Sequence, residues 1–322
     1  MSDTGQGTPP DTATGQTGPG DAGPKGPTRC GFVALLGAPN VGKSTLLNAL
    51  VGAKVAIVSP KPQTTRSRIV GIVMAGETQI VLVDIPGIFQ PRRRLDRAMV
   101  ASAWQGAKDA DVVALVVDAE RPDDGETLAI AERLKAENRP ALLVLNKIDA
   151  ISRETLLPIA QRYNEVADFS DTFMISALKG HGVDDLRAAL AKLLPEGPHL
   201  YPADQLTDLP QRLLAAEITR EQIYLQLHEE VPYSTAVETE KWTERDDGSV
   251  RIDQAIYVQR EGQKAIVLGK GGTRIKALGQ SARREMEEML GRRVHLFLFV
   301  KVRENWIDDP ERFSEWGLDW NA

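Results

Sequence analysis

The chain has one cysteine, four scattered histidines and no long apolar run. Cys30 is the only cysteine among the 322 residues, so an intramolecular disulfide is excluded, and a lone thiol is typical of the reducing cytoplasm. The histidines have no cysteine partners, which excludes a finger-type zinc site. No apolar stretch approaches the roughly 20 residues that a membrane-spanning helix needs. The net charge of −6 gives no overall basic signal, so any surface for nucleic acid must be local.

The first 28 residues differ in composition from the rest of the chain. They are nearly all Gly, Pro, Thr, Asp and Gln, and they lack the apolar core of a signal peptide. Such a segment buries too little apolar surface to offset the entropy of ordering. We therefore predict a disordered tail over residues 1–28, with a tether or binding arm as the alternative.

Short apolar runs alternate with helical stretches from Gly31 onward. The runs "GFVALLG", "DVVALVVDAE", "PALLVLNKID" and "DTFMISALKG" indicate buried strands, and "IVGIVMAGETQIVLVDIPG" indicates a hairpin that turns at Gly76 and Glu77. This alternation predicts an α/β domain over residues 29–196, a mostly parallel sheet with helices on both faces. Ligands then gather at the carboxyl ends of the strands.

The segment "GAPNVGKST", residues 37–45, has the spacing of a phosphate-binding loop. It lies between a predicted strand and a predicted helix, so its backbone N–H groups and the helix N-terminus face the phosphates. Lys43 then reaches the β- and γ-phosphates, and the Ser44 hydroxyl is placed to ligate Mg²⁺.

Three more short motifs each follow a predicted strand. "DIPG", residues 84–87, offers a carboxylate for the Mg²⁺ shell and a Gly87 N–H for the γ-phosphate. "NKID", residues 146–149, offers Asp149, which can accept hydrogen bonds from the N1–H and amine of guanine. "SAL", residues 176–178, brings the Ala177 N–H toward the guanine carbonyl oxygen. Together these motifs predict a GTPase that binds GTP or GDP with Mg²⁺.

The loop "SPKPQTTRSR", residues 59–68, precedes the predicted hairpin and is the segment that should order in the GTP state. We assign its Mg²⁺ ligand to Thr65 rather than to Thr64. The predicted metal ligands are Ser44, Thr65 and Asp84, and the predicted catalytic residues are Lys43, Thr65 and Gly87. The predicted nucleotide-binding residues are Gly37, Ala38, Pro39, Asn40, Val41, Gly42, Lys43, Ser44, Thr45, Asp84, Ile85, Pro86, Gly87, Ile88, Asn146, Lys147, Ile148, Asp149, Ser176, Ala177 and Leu178.

Ile88 occupies the position at which Ras has the glutamine that orients the attacking water. An isoleucine cannot orient water, so we expect slow unassisted hydrolysis. In related GTPases with a hydrophobic residue here, an asparagine in the phosphate loop helps to hold a potassium ion. Asn40 stands at that place, and the sequence leaves potassium dependence open.

A proline-rich linker, residues 197–210, precedes a region with a different order of elements. Over residues 211–322 the pattern predicts helix, strand, strand, helix, helix and strand, the α+β order of a type II KH domain. The loop "GKGG", residues 269–272, lies between two predicted helices and lacks the GK[ST] ending of a triphosphate loop. From Lys264 to Arg303, ten basic residues stand against three acidic ones, a local net charge of +7. We predict RNA binding by Gly269, Lys270, Gly271, Gly272, Arg274 and Lys276.

The whole pattern resembles the Era family of bacterial ribosome-associated GTPases. The resemblance rests on "PQTTR", "DIPG", "NKID", the linker "PEGPHLYPADQLTD" and "LGKGGTRIKALG", and it covers roughly residues 31–317, including "ENWIDDPERF". It implies binding near the 3′ end of small-subunit rRNA and a role in maturing the 30S subunit. It also implies peripheral association with the inner membrane, and we expect a monomer.

Two alternatives belong to other functional classes. A GTPase of tRNA modification or of the large subunit would bring a second GTPase domain or a modification partner, and the sequence has neither. A pure RNA-binding module would have an inactive nucleotide site, against which Lys43, Ser44, Asp84 and Asp149 argue.

Overall fold

The computed structural model describes residues 27–91, 93–228, 230–304, 306 and 309–322. The predicted disordered tail, residues 1–28, lies outside this part of the chain except for its last two residues. Within the described residues, no helix has both the length and the apolar character needed to cross a membrane.

A six-stranded sheet forms the core of the first domain, in the order β2-β3-β1-β4-β5-β6. Its strands are β1 (Arg29–Leu36), β2 (Ile69–Ala75), β3 (Thr78–Asp84), β4 (Val112–Asp118), β5 (Ala141–Asn146) and β6 (Phe169–Met174). β2 pairs antiparallel with β3 through a turn at Gly76, whose φ of 61° suits glycine, and the other neighbouring strands pair in parallel. The predicted hairpin and the mostly parallel sheet are confirmed.

Helices cover both faces of this sheet. They are α1 (Lys43–Val51), α2 (Arg94–Asp109), α3 (Gly125–Ala136), α4 (Leu156–Val166) and α5 (Val183–Leu193). Leucines of α1 and α5 pack on one face, and residues of α2, α3 and α4 pack on the other. Because the central strands are buried on both faces, they read in the sequence as continuous apolar runs.

The second domain has the predicted α+β order. Its elements are α6 (Gln211–Gln226), β7 (Thr235–Glu244), β8 (Val250–Val258), α7 (Glu261–Leu268), α8 (Thr273–Leu290) and β9 (Val294–Val302). β8 is the central strand, antiparallel to β7 and parallel to β9, and the core lies between this sheet and α6, α7 and α8. The first helix of this domain ends at Gln226, because Leu227 is extended with a φ of −103°.

Two segments connect the domains. The linker packs against β3, where the Gln79 side chain accepts from the Leu200 and Tyr201 N–H groups at 2.8 and 3.0 Å. A last helix, α9 (Pro310–Glu315), brings the buried Phe313 against Leu95 and Met99 of α2. The boundaries at 29–196, 197–210 and 211–322 stay a prediction.

Candidate nucleotide-binding and RNA-binding sites

The loop between β1 and α1 borders a cavity of 620 Å³ at the carboxyl ends of the strands. Two of its glycines have no room for a side chain. A Cβ on Gly37 would lie 2.5 Å from the Val116 carbonyl oxygen, and one on Gly42 would lie 2.3 Å from the Asn146 amide nitrogen. Both also have positive φ, at 148° and 97°. The loop therefore keeps its backbone close to the strands, with its N–H groups available for a ligand.

Lys43 is buried inside this loop. Its Nζ donates to the carbonyl oxygens of Gly37 and Ala38, at 3.0 and 2.9 Å. Burial lowers the pKa of Lys43 to about 8, against the opposing effect of the Asp84 charge. A phosphate would supply the stronger anionic partner that this cation lacks.

Three oxygen-bearing side chains meet beside Lys43. Ser44 Oγ donates to Asp84 Oδ2 at 2.6 Å, and Thr65 Oγ1 lies 3.0 Å from Ser44 Oγ and 3.3 Å from Asp84 Oδ2. Asp84 is fully buried, which raises its pKa, while Lys43, Ser44 and Thr65 act in the opposite direction. Its Oδ1 atom has no hydrogen-bond partner in the described part of the chain. Hard oxygen ligands around an unsatisfied carboxyl oxygen fit Mg²⁺.

The alternative ligand, Thr64, points elsewhere. Its Oγ1 donates to the Lys61 carbonyl oxygen at 2.8 Å and lies 2.6 Å from Ser59 Oγ. The geometry thus favours Thr65, and the assignment stays a prediction.

Gly87 approaches the phosphate-binding loop so closely that a Cβ at this position would lie 2.9 Å from Pro39 Cα. The next residue, Ile88, donates its N–H to the Gly37 carbonyl oxygen at 3.1 Å, and its side chain is buried in the core. No water-orienting group is therefore available at position 88. Asn40 has a φ of 65° and donates from its amide nitrogen to the Pro60 carbonyl oxygen at 3.0 Å.

The two later motifs converge at the far end of the cavity. Asn146 donates to the Val41 carbonyl oxygen at 2.9 Å and accepts from the Ala177 N–H at 2.9 Å. The Ala177 N–H, predicted to face guanine, is thus engaged by Asn146 in this structure. Asp149 is exposed, and a hydrogen bond from the Ser176 hydroxyl is the main cause that lowers its pKa. An ionised acceptor at this edge suits the two N–H donors of guanine.

The other predicted nucleotide-binding residues lie in the same loops or in the first turn of α1. They are Thr45, Ile85, Pro86, Lys147, Ile148 and Leu178. The cavity is also lined by residues that the sequence did not predict, among them Asp118. Asp118 is a buried residue at the end of β4, and it accepts from Lys147 Nζ at 2.6 Å. Its position at a strand end was the available signal.

The second glycine loop joins α7 to α8. Gly269, Gly271 and Gly272 have φ values of 71°, 61° and 76°, which side-chain-bearing residues adopt rarely. Gly272 is the N-cap of α8, an 18-residue helix with no acidic residue in its first turn. The partial positive charge of that N-terminus, with the exposed Lys270 and Lys276, is favourable for phosphate.

A groove of 550 Å³ lies between α8 and β9, and it could not be predicted from the sequence. α8 lies closest to β9 at Gly279, where an added Cβ would lie 3.4 Å from Leu298 Cδ1. Arg283 lines the groove with an exposed guanidinium. Arg274, one of the predicted RNA-binding residues, donates to the Ile266 carbonyl oxygen at 3.2 Å.

The local charge is smaller than the sequence count of +7 suggests. Within the described residues, four of the ten basic side chains form ion pairs with acids outside the counted segment. These four are Lys264, Arg292, Lys301 and Arg303. The remaining charge lies mainly on the glycine loop and along α8.

The fold and the two sites define the class: a phosphate-binding-loop GTPase domain followed by a KH domain. A family model described as "50S ribosome-binding GTPase" matches residues 32–147, and one described as "KH domain" matches residues 230–307. GTPase Era of Afipia carboxidovorans is 63% identical over 91% of this chain and 95% of its own. GTPase Era of Rhizobium meliloti is 62% identical over 91% and 94%. The chain belongs to the GTPase Era family.

Two solved structures resemble this chain over both domains. One is a variant of Aquifex aeolicus Era bound to GDP and AlF4⁻, with a TM-score of 0.85 and 41% identity, covering 90% of this chain and 99% of that one. The other is Era in complex with MgGDPNP and nucleotides 1506–1542 of 16S ribosomal RNA, with a TM-score of 0.85, 42% identity and the same coverage. The family membership argues against both alternatives considered from the sequence.

The low pKa of Lys43 predicts that GTP affinity depends on pH. Phosphates raise this pKa on binding, so binding takes up a proton when Lys43 is neutral in the free protein. With a free-protein pKa of about 8, the Kd for GTP should rise about fourfold from pH 7 to pH 8.5. A fluorescent-GTP titration at constant ionic strength measures this, below the pH at which guanine loses its own N1 proton. A constant Kd over that range would contradict the assignment.

Proposed function

We propose that this chain binds GTP with Mg²⁺, hydrolyses it to GDP and phosphate, and binds single-stranded rRNA near the 3′ end of the small-subunit RNA during 30S maturation. The nucleotide-binding part of this proposal rests on one observation. Ser44 and Thr65 contact the Asp84 carboxyl group beside Lys43, and one oxygen of that group has no partner among the described residues. The relative crystallised with MgGDPNP and 16S rRNA supports both halves.

The residues of the site have separable roles in hydrolysis. The loop N–H groups and Lys43 hold the β- and γ-phosphates, and the Gly87 N–H, close to Pro39, donates to the γ-phosphate. Ser44, Thr65 and Asp84 would hold Mg²⁺, which neutralises charge that develops on the phosphate oxygens. Because Ile88 is buried and apolar, the attacking water has no side-chain base at that position, and turnover is slow.

The guanine assignment is tested by Asp149→Asn. The substitution keeps one acceptor oxygen and replaces the other by an amide donor, so GTP affinity should fall and preference should shift to xanthosine triphosphate, by roughly 10⁴-fold in their ratio. Asp171→Asn, an exposed change on β6, is the control and should keep the wild-type preference. Competition of both nucleotides against fluorescent GTP measures the ratio. An unchanged preference in Asp149→Asn would refute the guanine contact.

Potassium stimulation is a second expectation, which rests on Asn40 and Ile88. The Asn40 amide nitrogen contacts Pro60, so Oδ1 is the atom that would coordinate K⁺ beside the phosphates. Hydrolysis should be faster in potassium than in sodium at matched ionic strength. Asn40→Gly tolerates the φ of 65° and removes the oxygen, so it should abolish the difference. Equal wild-type rates in the two salts would exclude a potassium site.

The RNA half rests on the glycine loop, the N-terminus of α8 and the adjoining groove. Proteins of the KH class clamp the backbone of four nucleotides at such a loop. Lys270, Lys276 and Arg283 are exposed along this path and have no ion pair among the described residues, so they can reach RNA phosphates. Peripheral membrane association, cytoplasmic location and a monomeric state stay predictions from the family resemblance.

The RNA site is tested by Gly272→Asp. Two like charges about 4 Å apart repel by roughly 1 kcal/mol even in bulk water, and the new side chain also blocks close approach. RNA affinity should fall at least about tenfold, with GTP affinity unchanged. Filter binding to a single-stranded oligonucleotide from the 3′ end of 16S rRNA, beside a fluorescent-GTP titration, measures both.

A matched control exists at the other end of the same helix. Gly291 has a φ of 63° and open space around it, like Gly272, so Gly291→Asp adds the same charge and the same backbone strain. It should leave RNA affinity near the wild-type value. If the two variants weaken RNA binding equally, the loop has no special role. If Gly272→Asp instead loses GTP, the loop belongs to the nucleotide site.

A further inference from the structure

The residue before Thr65 is held by the KH domain. Arg220, on α6, donates from Nη2 to the Thr64 carbonyl oxygen at 2.5 Å. The guanidinium is buried, and Glu217, one turn earlier, fixes its orientation by accepting from Nε at 2.8 Å. A backbone contact of this kind fixes the path of the chain at Thr64 whatever its side chain does.

The residue after Thr65 is held by the same domain. Arg66 donates from Nη1 to the Thr235 carbonyl oxygen at 2.7 Å, and from Nη2 to the Tyr224 hydroxyl at 3.0 Å. Two more carbonyl oxygens, of Pro232 and Tyr233, accept from Nη2 at 3.2 and 3.1 Å. The side chain is buried, so water cannot replace these partners.

Thr65 is thus placed between two anchored neighbours, with its hydroxyl directed at Ser44 and Asp84. A free loop would lose conformational entropy each time it ordered around the nucleotide. Here, contacts from α6 and β7 restrain the loop on both sides of Thr65. Misplacing a reacting group by about 1 Å can cost about a hundredfold in rate, so this restraint bears on catalysis.

We propose that Arg220 is a positioning residue for GTP hydrolysis, which acts from the KH domain by holding the Thr64 carbonyl and thereby directing the Thr65 hydroxyl toward Ser44 and Asp84. The inference rests on the proposed role of Thr65 as a metal ligand. Because GDP has no γ-phosphate for the Thr65 segment to close on, loss of this contact should affect GTP hydrolysis rather than GDP binding.

The principal test is Arg220→Gln in the full-length protein. Single-turnover GTP hydrolysis should be about tenfold slower, a barrier increase of about 1.4 kcal/mol, while the Kd for GDP stays unchanged. Arg220→Lys keeps one charged donor and should recover part of the rate, about threefold below wild type. If Arg220→Gln does not fold, Arg220→Lys serves as the test variant.

The control is Arg212→Gln, on the same helix, where the arginine donates to the carbonyl oxygens of Thr239 and Glu240 within the KH domain. It should hydrolyse GTP at the wild-type rate.

A second readout needs no nucleotide. Amide hydrogen exchange over residues 58–66 of the nucleotide-free protein should be faster in Arg220→Gln and unchanged in Arg212→Gln. A structural role limited to the KH domain would instead accelerate exchange in α6 alone. Unchanged exchange in the loop would overturn the proposal.

A double-mutant cycle tests the positioning role of Arg220 separately from the metal-ligand role of Thr65, on which it rests. If Arg220 acts through Thr65, then adding Arg220→Gln to Thr65→Ala should cause no further loss of rate. A full tenfold further loss would overturn the positioning role and leave the ligand role of Thr65 standing. A wild-type rate in Thr65→Ala alone would overturn the ligand role and the positioning role together, while the guanine contact of Asp149 is judged by its own experiment.

Discussion

Asp84 carries a carboxyl group that is fully buried, and only one of its two oxygens has a hydrogen-bond partner among the described residues. A buried carboxylate is costly unless cations and donors surround it. Lys43 and Ser44 supply part of that environment from the phosphate-binding loop, and Thr65 supplies another part from a loop that the KH domain anchors. The groups that compensate the buried Asp84 carboxyl group are therefore positioned by both domains.

The features that could be predicted from the sequence are those that depend on neighbours along the chain. Strands buried on both faces give continuous apolar runs, and a loop that only glycine can form leaves glycines at Gly37 and Gly42. The order of motifs at successive strand ends also fixed where they meet, because parallel strands present their carboxyl ends at one edge. The KH domain could be predicted because its helix–strand–strand–helix–helix–strand order and its GKGG loop between two helices are both visible along the chain.

What could not be predicted depends on contacts between distant residues. Nothing in "TTRSR" indicates that the Arg66 guanidinium meets three carbonyl oxygens some 170 positions away, and Arg220 reads as one more charge on a helix. The groove beside Gly279 requires the packing of α8 on β9. The local charge was overestimated, since Arg292, Lys301 and Arg303 are partly neutralised by acids outside the basic segment. Pattern and spacing carry no information about such pairings.

The two glycine loops show how one physical device serves different ligands. Each ends at a helix N-terminus with a glycine in the left-handed region, Gly42 before α1 and Gly272 before α8. The first loop is enclosed by strands and surrounds the buried side chain of Lys43, so it can surround a compact triphosphate. The second is exposed, and its lysine is free to follow a polymer backbone. Whether such a loop binds a single nucleotide or a strand of RNA therefore depends on how far the surrounding fold encloses it, and not on the glycines themselves.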